Sequence, residues 1–281
     1  MTVIKTSNQN EAIMGLWSHL DELRTRLIRS VLTLFVLFVF ALAFSKPILN
    51  FMKAPLEKIL PANTAALHFT GPMDVFMVNI QIAMLAALIF GAPAWLYHFW
   101  KFLEPALSEG ERKYVLPFIT ATIVCFFMGV SFSYFFMLPL ALNYLVGLGM
   151  EVAAPIITIT DYVSLTTVLL LSFGLVFETP VLLVLLAVLG FVSAEMLAAQ
   201  RRVTFVLILV VAAIITPPDP ISMLGMAIPC YLMYELSILV IKLIKPGNMP
   251  SITDRAAAIK SSSNVEKSAK DRPYHEPDIG L

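Results

Sequence analysis

Carboxylates in this chain fall in three settings that would give them something to act on. The first is Leu16-Trp17-Ser18-His19-Leu20-Asp21-Glu22-Leu23-Arg24-Thr25-Arg26-Leu27. Leu16, Leu20, Leu23 and Leu27 share one helical face, while His19, Glu22, Arg26 and Arg29 share another. That spacing predicts an amphipathic helix at a membrane surface. Its charged face reads in two ways, as a solvated anchor or as part of a ligand site. The second setting is Phe102-Leu103-Glu104-Pro105-Ala106-Leu107-Ser108-Glu109-Gly110-Glu111-Arg112-Lys113, where three carboxylates fall within eight positions. Carboxylates converging on one surface suit a cationic ligand, because a guanidinium offers them a planar fork of N–H donors. The plainer reading is that Glu109, Glu111, Arg112 and Lys113 cap and solvate the helix that follows. The third is Glu178, inside the apolar run Phe173-Gly174-Leu175-Val176-Phe177-Glu178-Thr179-Pro180. A charge at membrane depth costs about 2.5–3.5 kcal/mol on insertion scales. Glu178 therefore needs a cavity, a polar partner or a proton. It reads as a functional group or as a structural hydrogen-bonding one.

Other polar residues have simpler readings. Glu235 lies near one end of the last apolar segment and can pair with a cation there. Asp219, after Pro217 and Pro218, suits a helix cap. The four histidines show no metal-ligand spacing, and Cys125 and Cys230 sit within apolar runs as small hydrophobes. There is no G-x-S-x-G, no H-E-x-x-H and no phosphate-cradling glycine loop, so neither an enzyme nor a cofactor is expected.

The elements that hold these residues follow from composition. The chain is 59% hydrophobic and only 14% charged, with a mean hydropathy of +0.85. A soluble core cannot hide that much apolar surface, whereas a bilayer can. Six apolar segments stand out, at about Leu27–Phe44, Val75–Trp100, Val115–Leu138, Val163–Phe191, Val203–Thr216 and Ile221–Ile244. The expected fold is an all-α integral membrane protein with six transmembrane helices. The second, third and fourth segments exceed the roughly 20 residues that a span needs, so they must tilt or kink, with Gly91/Pro93 and Gly174/Pro180 as kink sites. Only Thr216-Pro217-Pro218-Asp219-Pro220 joins the fifth segment to the sixth, so these two are expected to form a hairpin of short C-terminal spans. The fifth is too short for a full bilayer, which means either local thinning or a hairpin buried among neighbours.

Charge orients the bundle. Six spans place 16 Lys and Arg residues on one side and 3 on the other, and the richer side belongs in the cytoplasm. Both termini then lie inside. Ala41-Leu42-Ala43 has the small residues of a cleavage site, but the acidic, long stretch before it argues for a retained first span. Lys46 to Asp74 is expected to carry short helical pieces outside the membrane. Ser193 to Arg202 is expected to be a short cytoplasmic helix capped by Ser193 and ending in cations. Residues 1–245 form the expected membrane domain. Residues 246–281, rich in Ser, Lys, Asp and Pro, read as a disordered cytoplasmic tail. A net charge of zero gives no nucleic-acid signature. On residues alone two further classes stay open. One is a proton-coupled solute transporter using Glu178. The other is a membrane assembly factor in which Glu178 could be Gln.

Several motifs taken in order carry a family resemblance. They are His19 to Leu27, Ala54-Pro55-Leu56, Phe102 to Leu107 with Glu111-Arg112-Lys113, Phe173 to Pro180, Thr216-Pro217-Pro218-Asp219, and Ala227-Ile228-Pro229. In these the chain resembles the TatC family, the multispanning subunits of the twin-arginine protein translocase. The resemblance implies a concave bundle in the bacterial inner membrane. Its cytoplasmic face would bind Arg-Arg signal peptides for export of folded proteins, driven by the proton motive force. Glu22 and Glu111 match the family's signal-binding carboxylates, and Arg24, Phe102 and Pro105 match their neighbours. Pro55 matches a sensitive proline of the first outer loop. Glu178 matches the polar residue of the concave face, and Asp219 the acidic residue of the outer turn. The implied partners are signal peptides, the single-span proteins TatA and TatB, further copies of the chain, and lipid. The family pattern has Gln four residues after that Asp, where this chain has Met223. A polar anchor for a partner helix is thereby altered, which leaves open one bifunctional small partner or two.

Overall fold

The computed structural model describes residues 4–60, 67–104, 115–150, 156–216 and 220–244, with side chains from position 21 onward except 22 and 148–150. These residues form helices almost throughout. In chain order they are α1 (Ile4–Ala43), α2 (Ser45–Glu57), α3 (Pro72–Phe90), α4 (Ala92–Leu103), α5 (Val115–Phe132), α6 (Leu138–Met150), α7 (Ile159–Val176), α8 (Thr179–Val188), α9 (Ala194–Ala199), α10 (Arg201–Ile215) and α11 (Pro220–Ile244). A π-helical turn, Ser133–Met137, joins α5 to α6. Within a bilayer every backbone N–H and C=O must be satisfied by the chain itself, which is why apolar runs of this length become helices. Among the described residues, five stretches are long and apolar enough to cross: Leu23–Ala43, Pro72–Phe90, Val115–Gly147, Ile159–Val188 and Pro220–Ile244.

The long segments break where backbone chemistry requires it. The second expected segment splits at Gly91, with Pro93 in the first turn of α4. The fourth splits at Phe177–Glu178, just ahead of Pro180, which lacks an N–H to continue the ladder. Gly174 is not that kink; it stays within α7 and serves packing instead. A Cβ at Gly174 would stand 2.8 Å from Phe126 Cε2, and one at Gly129 would stand 2.4 Å from the Phe173 carbonyl oxygen. The close crossing of α5 and α7 thus depends on two missing side chains. The third segment stays helical by absorbing one extra residue in its π turn.

Of the two C-terminal segments expected to be short, only the first is short. α10 has 15 residues, about 22 Å of helix, against a hydrocarbon core of about 30 Å. α11 has 25 residues, about 37 Å, with Pro229 accommodated inside it. The short helix near Ser193 is present as α9, whose first turn is capped by the Ser193 hydroxyl accepting from Met196 N–H at 3.1 Å. Its Glu195 carboxyl is held below the usual value by its own backbone N–H and by the Ser193 hydroxyl. Arg201 and Arg202 do not end this helix as expected. The chain turns at Gln200 and both arginines open α10.

α3 packs against α1 on one side and α7 on the other, α5 against α4 and α7, and α11 against α8 and α10. The large core gathers Ile82 and Leu85 of α3, Phe126 of α5, Tyr162 and Phe173 of α7 and Met226 of α11. A second core collects Trp100, Ile119, Leu185, Leu197 and Ile238. It draws the ends of α4, α8 and α11 together with the start of α5 and α9. At the other end, His68 pairs with Thr158 in an isolated bridge: His68 N–H donates to Ile157 O at 3.0 Å, and Ile159 N–H to His68 O at 2.8 Å. Asp74 fastens the start of α3 there, its Oδ2 accepting from Thr70 N–H, Thr70 Oγ1 and Gly71 N–H at 2.6–2.9 Å.

Candidate functional site

The two motifs that flank the expected ligand surface meet in the structure. Leu23, Arg26 and Leu27 of α1 line one cavity of about 460 Å³ together with Phe102 at the end of α4. Arg24 lies exposed on the same helix, one residue from that lining. Glu22 belongs to α1, but its side chain lies outside the described set, and Pro105, Glu111 and Asp219 lie outside the described residues altogether. Of the three loop carboxylates, Glu104 is engaged by Lys101 at 2.6 Å. The cation one turn away on α4 thus shares its charge.

Glu178 sits at the break between α7 and α8, half-buried, as the residue preceding α8. The break has a local cause: Glu178 N–H bonds back to Leu175 O at 3.1 Å, a tighter turn than α, and Pro180 follows at the head of the next helix. Its carboxylate takes a hydrogen bond from the Thr122 hydroxyl of α5. The Thr122 oxygen in turn accepts from Trp100 Nε1–H of α4 at 2.8 Å. The chain Trp100–Thr122–Glu178 therefore crosses three helices. The second carboxylate oxygen, Oε1, is buried and has no hydrogen-bond partner among the described residues.

Glu235 finds the cation expected of it. Arg201 grips it with both prongs, Nε to Oε1 at 2.7 Å and Nη2 to Oε2 at 2.8 Å, and Tyr231 OH donates to Oε1 at 2.9 Å. This fork pins the start of the short α10 to α11.

Pro55 lies buried inside α2. Having no N–H, it cannot bond the carbonyl of Phe51 four residues back. Tyr134 of the π turn supplies the missing donor, its OH reaching Phe51 O at 2.6 Å, with the two rings stacked 4.6 Å apart. Tyr162 of α7 donates likewise to Met52 O. Two tyrosines thus hold α2 to the bundle by its own backbone. Met223, half-buried on α11, packs against the large core. Sequence reasoning missed Thr122, Trp100, Tyr134 and Tyr162. The available signal was the pairing of polar-tipped residues inside apolar runs with a helix-interior proline and an intramembrane acid, each of which needs a partner.

α1 and α10 carry broad exposed apolar surfaces. Phe35, Val36 and Phe40 on α1, and Val203, Val206 and Ile214 on α10, are all more than half exposed. Contiguous apolar faces of this extent, with five long apolar helices, define an α-helical integral membrane protein that crosses the bilayer several times. The family described as Sec-independent protein translocase protein (TatC) matches residues 18–229. The TatC protein of Magnetococcus marinus is 36% identical over 258 residues, covering 92% of this chain and 95% of that protein. That of Helicobacter pylori strain J99 is 36% identical over 248 residues, covering 88% and 97%. A crystal structure described as twin arginine translocase receptor TatC superposes with a TM-score of 0.71 at 36% identity, over 80% of this chain and 98% of that one. A second, in DDM, gives 0.73. The chain belongs to the TatC family of Sec-independent protein translocase subunits.

Proposed function

We propose that this chain is the receptor and core subunit of a twin-arginine translocase, binding Arg-Arg signal peptides at the cytoplasmic face for export of folded proteins driven by the proton motive force. The observation that carries this reading is the shared cavity of Leu23, Arg26 and Phe102. It brings the helix of Glu22 and Arg24 beside the stretch that leads to Pro105 and Glu111. Glu22 and Glu111 accept the two guanidinium groups of the signal, and planar forks explain why arginine is required where lysine offers a point charge. The likeness to a solved twin arginine translocase receptor supports the same assignment.

In this reading α10 completes a set of six spans, with both termini in the cytoplasm and the chain in the bacterial inner membrane. The bias of Lys and Arg supports that orientation. Glu178, Met223, Asp219 and Pro55 serve contacts with small single-span partners of the TatA and TatB kind, or the support of those contacts. Copies of the chain associate with one another. The short α10 marks where the bilayer thins and the partners gather. The test is co-purification of a precursor from native membranes. Glu111→Gln and Glu22→Gln are each expected to weaken recovery of an Arg-Arg precursor about 30-fold, the loss expected when one member of a charge pair is truncated. Unchanged recovery with both substitutions present would overturn the assignment.

A further inference from the structure

Trp100 lies between the surface where α1 meets α4 and the intramembrane acid. Its neighbours Phe99 and Phe102 line the cavity shared with α1. Its own ring does not, and is only 3% exposed. Phe99 meets that ring edge-on at 6.4 Å, and Phe118 of α5 stacks on it at 5.2 Å, nearly parallel. An indole N–H can only donate. The 2.8 Å bond from Trp100 Nε1–H therefore takes a lone pair of Thr122 Oγ1 and leaves the Thr122 proton for another acceptor. Thr25, Thr33, Thr120, Thr166 and Thr216 each spend that proton on the carbonyl four residues back in their own helix. Thr122, itself buried, gives its proton to Glu178 instead. Its hydroxyl thus has two places to go, Glu178 or the Phe118 carbonyl four residues back, and the indole pins it at the first.

We propose that Trp100 and Thr122 are positioning residues for Glu178, through which a ligand seated against Phe99 and Phe102 releases that acid to a partner helix. The ligand turns the end of α4 and draws the indole off Thr122. A displacement of about 1 Å breaks a bond of this length. The Thr122 hydroxyl then falls back to the Phe118 carbonyl. Glu178 already has Oε1 buried without a partner among the described residues. Losing Thr122 as well leaves it in need of an outside donor, because a buried polar group without one is costly. A hydroxyl or amide N–H on a neighbouring membrane helix meets that need. The two places open to the Thr122 hydroxyl are the bistable element that such coupling requires. This coupling rests on the receptor reading for its ligand, an Arg-Arg signal.

Infrared difference spectra of the purified full chain, with and without a synthetic Arg-Arg signal peptide, read Glu178 directly. Its band is the one that vanishes in Glu178→Gln, and the peptide is expected to move it. In Trp100→Phe, which keeps a ring on Phe118, and in Thr122→Val, which keeps the side-chain shape, the band should start displaced and the peptide should move it no further. Thr122→Ser keeps the hydroxyl and should keep the response. Linkage adds a reciprocal effect. Trp100→Phe and Thr122→Val should each bind the Arg-Arg peptide about fivefold tighter, because the ligand no longer has to break a hydrogen bond of that worth. A role in packing alone would weaken binding or leave it unchanged. A thermal unfolding curve shows that each variant is folded, and Thr122→Val carries the test if Trp100→Phe is not. A native response retained in both variants would overturn the proposal, as would binding that is no tighter in either. Selective binding of the Arg-Arg peptide over a Lys-Lys one with an unmoved Glu178 band sinks the coupling alone. Equal binding of the two peptides sinks the receptor reading, and the coupling with it.

Discussion

Glu178 has one carboxylate oxygen buried without a partner among the described residues, while Thr122 donates to the group from α5. A buried polar group left unpaired costs about 1–3 kcal/mol. Glu178→Met removes that cost, and Thr122 keeps its bond from Trp100. The expected result is a rise in detergent melting temperature of about 3 °C, together with weaker co-purification of the small single-span partner. A lower melting temperature with unchanged partner recovery would make Glu178 a purely structural group. Asp74 presents the opposite case, a carboxylate filled by three donors at the head of α3. Asp74→Ala should cost about 1–2 kcal/mol, read from denaturant unfolding in mixed micelles. At this scale the sequence made the acids visible, because a charge in an apolar run stands out. Their partners stayed hidden: nothing in the spacing of Trp100, Thr122 and Glu178 says that three helices will bring them together.

Elements show the same division between local chemistry and tertiary contact. The break at Gly91 was legible because glycine and proline act on their own backbone. The break at Glu178 fell near the expected site, yet four residues beyond Gly174, because Pro180 ends the ladder and Gly174 is needed for the α5–α7 crossing. The π turn at Ser133–Met137 had no such marker. Tyr134, which it carries, restores the hydrogen bond that Pro55 denies to Phe51. This pairing makes a double-mutant cycle informative. Tyr134→Phe alone leaves the Phe51 carbonyl unpaired and should cost about 1–3 kcal/mol. In a Pro55→Ala background the new N–H at position 55 can take that carbonyl, so Tyr134→Phe should cost less, with a coupling of at least 0.5 kcal/mol. Strict additivity would contradict the account of α2. For α10, four apolar residues inserted ahead of Thr216 add about 6 Å and should abolish export without loss of insertion, as measured by transport of a folded reporter. Normal export would remove bilayer thinning from the mechanism.

For the whole molecule, the membrane itself made the class legible. A bilayer demands long apolar helices, and five such helices stand close to where composition placed them. Their lateral order did not follow from periodicity, since residues 34–43 of α1 and 205–215 of α10 are apolar throughout and carry no polar stripe to mark a buried face. Packing of α3 between α1 and α7, and of α11 between α8 and α10, comes from particular contacts such as the two close glycines and the Arg201–Glu235 fork. Signal recognition, in the proposed function, belongs to the surface where α1 meets the end of α4. Leu103 lies there, next to Phe102, and a photocrosslinking probe at that position in native membranes interrogates it directly. A precursor with an Arg-Arg signal should crosslink, one with Lys-Lys should not, and Glu111→Ala should abolish the adduct. Equal crosslinking of both precursors, or none with the protein correctly inserted, would contradict that assignment.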